Sequence, residues 1–198
     1  MDSVADCKNC PEGTYTNLTG QVSKANCQNC DIGTYNDKTG QAICFICSQG
    51  RFNNETGRTS QCQNCSSGFY NDELQKSTCK TCSPGSFCSS GASSQSSCPV
   101  GKYSSKGGQA SCTFCEAGRY IEIEGSTQCT NCSAYTYQNR IGMSNSSSCI
   151  QCSPGKYNHY PGQSSCNICE KGYYCIGNDR KVACGLGKYL NSSSGSKS

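Results

Sequence analysis

Apolar residues are sparse in this chain, and cysteine sets the spacing at which the larger ones recur. One unit runs through nearly the whole sequence: a cysteine, two residues, a glycine, one residue, an aromatic residue, a polar stretch and then Cys-x-x-Cys. The second cysteine of each Cys-x-x-Cys junction begins the next unit, and we call it the opener. The openers are Cys10, Cys30, Cys47, Cys65, Cys82, Cys98, Cys115, Cys132, Cys152, Cys169 and Cys184.

The fifth residue after every opener is aromatic, and the third is glycine in ten of eleven units, with Tyr135 as the exception. Glycine permits a positive φ or a close backbone approach beside the cross-link. The aromatic ring supplies a large apolar face, so we expect one ring per disulfide to form a minimal core. The polar stretches contain turn-forming pairs and no sustained helical period. The pattern therefore predicts short irregular strands and turns, with little or no helix.

Composition leads to the same fold class. Leu, Ile, Val and Phe together number 22, no more than the 22 cysteines, so cross-links must replace an aliphatic core. The steps between openers average 17.4 residues. We expect a small disulfide-rich fold, an elongated tandem array of repeats of about 17 residues. Residues 1–9 are interpreted as the end of a preceding repeat, 10–190 as the array, and 191–198 as a Ser-rich tail or the start of continuing sequence.

The positions of the cysteines suggest one connectivity among the many that are combinatorially possible. In this connectivity each opener bonds the first cysteine of the following junction. Two units contain an inserted cysteine, and there the opener bonds the inserted cysteine and closes a shorter ring. The pairs are then Cys10 with Cys27, Cys30 with Cys44, Cys47 with Cys62, Cys65 with Cys79, Cys82 with Cys88, Cys98 with Cys112, Cys115 with Cys129, Cys132 with Cys149, Cys152 with Cys166, and Cys169 with Cys175. Cys7 and Cys184 remain, and we expect their partners in sequence outside this segment, as in an excerpt of a longer array.

Zinc is the alternative use of these cysteines. Cys27-x-x-Cys30 and Cys44-x-x-Cys47 match the spacing of a four-cysteine zinc site. However, the junctions form one continuous series rather than groups of four, and the inserted Cys88 and Cys175 have no role in such a grouping. Structural disulfides are favoured, and no metal ion or cofactor is assigned.

Three segments carry a resemblance to a known family: Cys10-Pro-Glu-Gly-Thr-Tyr15, Cys98-Pro-Val-Gly-Lys-Tyr103 and Cys152-Ser-Pro-Gly-Lys-Tyr157. They closely resemble the ephrin-receptor-like, or GCC2/GCC3, cysteine-rich repeats of the growth-factor-receptor cysteine-rich group. They are also similar to the first submodule of tumour-necrosis-factor-receptor repeats. The resemblance covers Cys7 to about Tyr189 and implies extracellular, elongated, non-enzymatic chains in which the opener bonds the next closing cysteine. The six-cysteine module that presents ligand loops is lacking, so no ligand-binding residue is carried over.

Six Asn-x-Ser/Thr sequons are candidate N-glycosylation sites. They are Asn17, Asn54, Asn64, Asn131, Asn145 and Asn191. Asn64 and Asn131 have a junction cysteine as the middle residue, which holds the acceptor close to a cross-link, and they rank below the other four. We therefore expect N-linked glycans on an extracellular or cell-surface chain.

Several functions are disfavoured by the sequence. No run of Lys or Arg follows a phosphate backbone, which argues against nucleic acid as a partner. The longest apolar run, 42–47, is far too short to span a membrane. The chain has no Trp and a single His, His159, in a polar turn, so we expect no catalytic site and no enzyme activity.

The leading functional hypothesis is a structural or adhesive one. We expect a glycosylated, disulfide-laddered rod within a surface coat, stalk or fibre, whose partners are further copies of itself or other extracellular glycoproteins. The alternative is a ligand-binding segment of a receptor ectodomain, for which Tyr135–Met143 is the candidate region. Tyr160 and Tyr173 are further candidate anchors for a partner, although packing between repeats explains them equally well.

Overall fold

The computed structural model describes residues 7–177 and 181–188. Most of the proposed preceding-repeat segment, the aromatic residue Tyr189, the sequon at Asn191 and the proposed tail at 191–198 lie outside the described residues. The described chain divides into two compact units. One comprises the residues up to Ser83 together with Phe87–Ser96 and Gly107–Ser111, and the other comprises Pro84–Ser86, Ser97–Lys106 and the residues from Cys112 onward.

Each repeat contains one antiparallel hairpin of very short strands. The first strand carries the repeat's aromatic residue, and the second occupies the junction in all but the two repeats with an inserted cysteine. The first five hairpins are β1 (Thr14–Tyr15) with β2 (Gln28–Asn29), β3 (Thr34–Tyr35) with β4 (Phe45–Ile46), β5 (Arg51–Phe52) with β6 (Gln63–Asn64), β7 (Phe69–Tyr70) with β8 (Lys80–Thr81), and β9 (Ser86–Phe87) with β10 (Ser96–Ser97).

The same hairpin continues through the remaining repeats. It is formed by β11 (Lys102–Tyr103) with β12 (Thr113–Phe114), β13 (Arg119–Tyr120) with β14 (Thr130–Asn131), β15 (Thr136–Tyr137) with β16 (Ile150–Gln151), β17 (Lys156–Tyr157) with β18 (Asn167–Ile168), and β19 (Tyr173–Cys175) with β20 (Lys181–Ala183). Single 3₁₀ turns at Lys24–Asn26 and Ser146–Ser148 lie in the two longest rings, and the described residues contain no α-helix. The expectation of a disulfide-rich tandem array with short strands is confirmed.

The core consists mainly of cysteine. All ten openers from Cys10 to Cys169 are buried, with at most 6% of their surface exposed. The aromatic residues five positions later are only half-buried in all ten described repeats. The expectation that the aromatic ring is the centre of each small core therefore needs correction. The aromatic residue stays partly exposed, and the residue after it, which points to the opposite side of the extended chain, is buried in the second to tenth repeats.

Candidate functional site

Ten disulfide bonds close one ring in each repeat. They join Cys10 to Cys27, Cys30 to Cys44, Cys47 to Cys62, Cys65 to Cys79, Cys82 to Cys88, Cys98 to Cys112, Cys115 to Cys129, Cys132 to Cys149, Cys152 to Cys166, and Cys169 to Cys175. These are the pairs that the repeat pattern suggested. The four cysteines that matched a zinc spacing are all in disulfides, so none of them is a free thiolate. Cys7 and Cys184 are the two free cysteines.

The rings are of two kinds. Eight enclose 14 to 17 residues, and two enclose only six, at Cys82–Cys88 and Cys169–Cys175. In seven of the eight long rings the closing cysteine is half-buried, whereas both closing cysteines of the short rings are only 2% exposed. The short rings are therefore shielded from solvent at both sulfur atoms.

A buried position between repeats was missed by the sequence analysis. It is the sixth residue after the opener, and in the second to tenth repeats it is at most 3% exposed: Asn36, Asn53, Asn71, Cys88, Ser104, Ile121, Gln138, Asn158 and Cys175. Four of these are asparagines that directly follow the aromatic residue. That Tyr/Phe-Asn recurrence is visible in the sequence and was the signal that could have identified the position.

The buried asparagines join one repeat to the repeat before it. The Nδ2 atom of Asn53 donates to the carbonyl of Thr34 in the preceding repeat at 2.7 Å, and the Oδ1 atom accepts from the Glu55 amide at 3.1 Å. Asn36, Asn71 and Asn158 donate in the same way, each to the strand residue before the preceding repeat's aromatic residue. A buried amide satisfied in this way fixes the alignment of neighbouring repeats, because an unsatisfied one would cost free energy.

Backbone hydrogen bonds also join each repeat to its neighbour. The amide of the third residue after each opener donates to the carbonyl of the buried sixth position in the next repeat, as in Gly50 to Asn71. All nine such pairs among the described repeats are 2.7 to 3.1 Å long. Tyr135 takes part through its own amide, with φ of +69°, so this repeat keeps the backbone conformation without glycine.

A second set of contacts reaches two repeats along the chain. In the fifth repeat the turn residue Gly91 donates its amide to the carbonyl of Cys65 at 2.8 Å, and its own carbonyl lies against Gly50 of the third repeat. A Cβ on Gly50 would overlap that carbonyl oxygen and lie 3.0 Å from its carbon. Glycine is therefore required at this position by space as well as by its φ of +77°. The equivalent contact occurs in each of the first seven repeats, so these rings are held by the turn of a later repeat in addition to their own disulfide.

One cluster of charged side chains stands out in the fourth repeat. Lys80 contacts Asp72 and Glu73 at 2.7 Å, and Lys76 contacts Glu73 at 2.6 Å. Hydrogen bonds from Lys76 and then Lys80 lower the pKa of Glu73 to about 2, and the bond from Lys80 lowers the pKa of Asp72. The cluster is solvent-exposed, and its charges compensate one another.

An aromatic and charged cluster lies in the last repeats. Tyr157 lies against His159 with their rings tilted and their centroids 5.0 Å apart, and Tyr135 meets His159 edge-on at 6.1 Å. The Tyr157 hydroxyl donates to Glu170, which raises the pKa of Tyr157, and Glu170 also pairs with Lys181. The sequence identifies Tyr135 as the exception at the glycine position and places His159 in a polar turn. The structure places the two in contact.

The sequons occupy two structural settings. Asn17, Asn54 and Asn145 are exposed and lie outside the strands. Asn64 and Asn131 lie in β6 and β14, in the junctions, and Asn191 is outside the described residues.

Within the ranges 7–177 and 181–188, no group of three or more His, Cys, Asp or Glu side chains is placed to hold a metal ion. Over the same ranges, no helix has both the length and the apolar character needed to cross a bilayer.

Comparison with known proteins agrees with this geometry. Residues 101–149 match the family model described as tyrosine-protein kinase ephrin type A/B receptor-like. The matched segment runs from the sixth repeat into the eighth, and the same ring and junction arrangement occurs on both sides of it. A search of curated proteins finds no match to the chain. The many disulfides and this match suggest an extracellular location. The chain is a tandem array of cysteine-rich repeats, and its segment 101–149 carries the ephrin-receptor-like signature.

Proposed function

We propose that this chain is a non-enzymatic structural or adhesive segment of an extracellular glycoprotein, serving as a mechanical spacer in a surface coat, stalk or fibre. The observation that carries the proposal is the connection between repeats. Every ring is closed by a disulfide, the first nine repeats are bonded to the next repeat by backbone amides, and the first seven are contacted by the turn of the repeat after that. Such connections resist extension without needing a large apolar core.

The absence of enzyme activity is part of the proposal. The single histidine, His159, is exposed and lies against Tyr157 and Tyr135 rather than beside a nucleophile. Surface lysines lower the pKa of both Asp72 and Glu73 and hold these carboxylates ionised. Neither group is arranged as an acid or base aimed at a substrate.

Stretching single molecules tests the spacer role. The ten rings enclose 131 residue steps, so reducing every disulfide should release roughly 400 Å of contour length at about 3.5 Å per residue. Two double variants calibrate the measurement. Cys65→Ser with Cys79→Ser opens a 14-residue ring and should add roughly 43 Å, and Cys82→Ser with Cys88→Ser opens a six-residue ring and should add roughly 15 Å. An oxidised chain that lengthens at low force as far as the reduced chain would contradict the proposal.

Assembly is tested separately, by electron microscopy of native, unreduced material from the source surface. We expect ordered filaments or sheets whose spacing equals a whole number of repeats, and we expect that order to disappear on reduction. Near-identical repeats present recurring surfaces, which favour such assembly. Head-to-tail contacts between molecules build a filament when they do not close into a ring. Isolated molecules in the native material would contradict the assembly role.

A ligand-binding receptor segment is the second candidate function. The observation in its favour is the cluster of Tyr135, Tyr157, His159 and Tyr173 in the last repeats, where one repeat keeps a positive φ at a tyrosine. Aromatic side chains dominate binding hot spots. Isolated molecules that bind a cell-surface partner, with loss of binding on Tyr135→Gly, would favour this function over the structural one.

A further inference from the structure

The two kinds of sequon differ in what their amide groups contact. We call Asn17, Asn54 and Asn145 the turn sequons and Asn64 and Asn131 the junction sequons. Both kinds are exposed when the whole residue is considered. Exposure alone therefore gives no reason to expect glycans at one kind rather than the other.

The junction amides lie against the turn of the next repeat but one. A Cβ on Gly91 would be 3.5 Å from Asn64 Cγ and 3.7 Å from its Nδ2, which is van der Waals contact. A Cβ on Gly162 would be 3.0 Å from Asn131 Oδ1 and 3.1 Å from its Cγ, so this turn lies against the oxygen side of the Asn131 amide. Nδ2 is the atom to which an N-linked glycan is joined. A sugar on Asn64 therefore competes with the turn of the fifth repeat for the same space.

The middle residue of each junction sequon is also fixed by hydrogen bonds. The Cys65 amide donates to Gly50 at 2.9 Å, and the Cys65 carbonyl accepts from Gly91 at 2.8 Å. Cys132 is held in the same way, by Gly118 and Gly162. The acceptor asparagine is itself a strand residue in both cases. A folded junction sequon thus lacks the open loop conformation in which acceptor sites are found.

The turn sequons lie outside the strands, and their amides are not among the atoms nearest to any glycine turn of a later repeat. Their middle residues are bonded locally or by a side chain, Glu55 by Asn53 and Ser146 by Glu122. Asn54 directly follows the buried Asn53 and is exposed, because successive residues of an extended segment point to opposite sides. Asn17 occupies the same place, seven residues after its opener, and is also exposed. Asn145 precedes the 3₁₀ turn, where the Ser147 hydroxyl donates to Asn145 Oδ1 at 2.6 Å.

We propose that N-linked glycans are carried at Asn17, Asn54 and Asn145, and that the folded junctions exclude them from Asn64 and Asn131. In the transfer step, the asparagine Nδ2 bonds to C1 of an oligosaccharide carried on a lipid diphosphate. The bond from C1 to the diphosphate oxygen breaks, the lipid diphosphate leaves, and a base of the transferring enzyme takes the Nδ2 proton. The proposal deepens the proposed glycoprotein function and rests on its extracellular assignment.

Two single substitutions in the second repeat give a matched test. Asp37→Asn creates a sequon at 37–39, seven residues after the opener, and Asp31→Thr creates one at 29–31, in a junction whose Asn29 lies against Gly57. The full chain is produced behind a secretion leader in cells that N-glycosylate. Sites are then identified by enzymatic glycan release in heavy-oxygen water and peptide mass measurement. We expect Asp37→Asn to add the mass of one glycan to the secreted protein and Asp31→Thr to add none.

A membrane-permeant thiol reductant, present during synthesis, tests the cause. With the rings unable to close, we expect Asn64 and Asn131 to become occupied, while Asn54 is occupied in both conditions. Junction sequons that stay empty under reduction would assign the exclusion to their local Asn-Cys-Ser sequence and overturn the proposal. Glycan at Asn64 in the oxidised, secreted protein, or an empty Asn54, would also overturn it. Because the leader directs the chain into the secretory pathway in any case, these outcomes are independent of the native assembly test.

Discussion

Replacing Gly50 with alanine perturbs the contact between the third and fifth repeats at a single point. The alanine Cβ would overlap the Gly91 carbonyl, and the positive φ of residue 50 itself disfavours a side chain. The backbone conformation costs about 1 kcal/mol for alanine. Moving the turn of the fifth repeat away breaks the Gly91–Cys65 hydrogen bond at a buried acceptor, which costs about 2 kcal/mol more.

Gly172 provides the matched control. It occupies the same place in the tenth repeat and has a φ of +85°, but a Cβ there would meet nothing within 4 Å. Gly172→Ala should therefore incur only the backbone cost of about 1 kcal/mol. The difference of about 2 kcal/mol between the two variants corresponds to about a thirtyfold change in an equilibrium constant.

Native-state amide hydrogen exchange measures this difference directly, because it reports the local opening of individual hydrogen bonds. With all disulfides intact, the Gly91 amide should exchange about thirtyfold faster in Gly50→Ala than in the wild type. In Gly172→Ala its exchange should be unchanged. Equal Gly91 protection in the wild type and Gly50→Ala would refute the inference that the two repeats depend on this contact.

Three further predictions concern other features of the array. Asn53→Ala should lower the free energy of unfolding by about 2 kcal/mol, measured by thermal denaturation without reductant, because the three hydrogen bonds between its buried side chain and the backbone of Thr34 and Glu55 are lost. The depressed pKa of Glu73 stabilises the folded state above its ordinary pKa near 4.5, and this contribution is lost as the pH falls towards about 2; NMR titration should place its midpoint near that value, and Lys76→Met should raise it. Partial reduction followed by alkylation should label Cys82 and Cys88 later than half-buried closing cysteines such as Cys79, since both are buried.

Each of these predictions has its own contrary result. Asn54→Ala, at the exposed neighbour of Asn53, should change the free energy of unfolding by less than about 0.5 kcal/mol. An equal loss of stability in both variants would contradict the inference that the buried Asn53 amide stabilises the array. A Glu73 midpoint that is the same with and without Lys76 would show that the lysine does not hold the carboxylate. Early labelling of Cys88 relative to the half-buried Cys79 would contradict the idea that burial controls access to the disulfides.

The sequence predicted the parts of this fold that depend on local spacing. The positions of the cysteines within the repeat indicated the ten rings. The glycine three residues after the opener indicated the positive φ found there, which even Tyr135 retains. The buried sixth position escaped notice because its occupant changes from asparagine to Cys88, Ser104 or Ile121. What these residues share is a place in the backbone pattern rather than a chemical type. The contact of Gly50 with Gly91 spans 41 positions, and no local periodicity encodes it.

The candidate site was predicted less completely for the same reason. The six sequons are visible as motifs, but the difference between Asn54 and Asn64 depends on a turn that lies two repeats further along. The sequence supplied a weaker reason, the junction cysteine in the middle of the motif. Similarly, Tyr135 and His159 are 24 positions apart, and only the stacking of consecutive repeats brings their rings together.

The contact between alternate repeats has a consequence for damage. Gly50 and the turn at Gly91 belong to the third and fifth repeats, so they form a bridge past the fourth ring. If the Cys65–Cys79 bond is cut by a reductant, its two neighbours still touch each other directly. In a simple string of beads, one failed link separates the two ends. Here the contact between Gly50 and the Gly91 turn does not depend on the fourth ring, so the third and fifth repeats remain in contact when that ring opens.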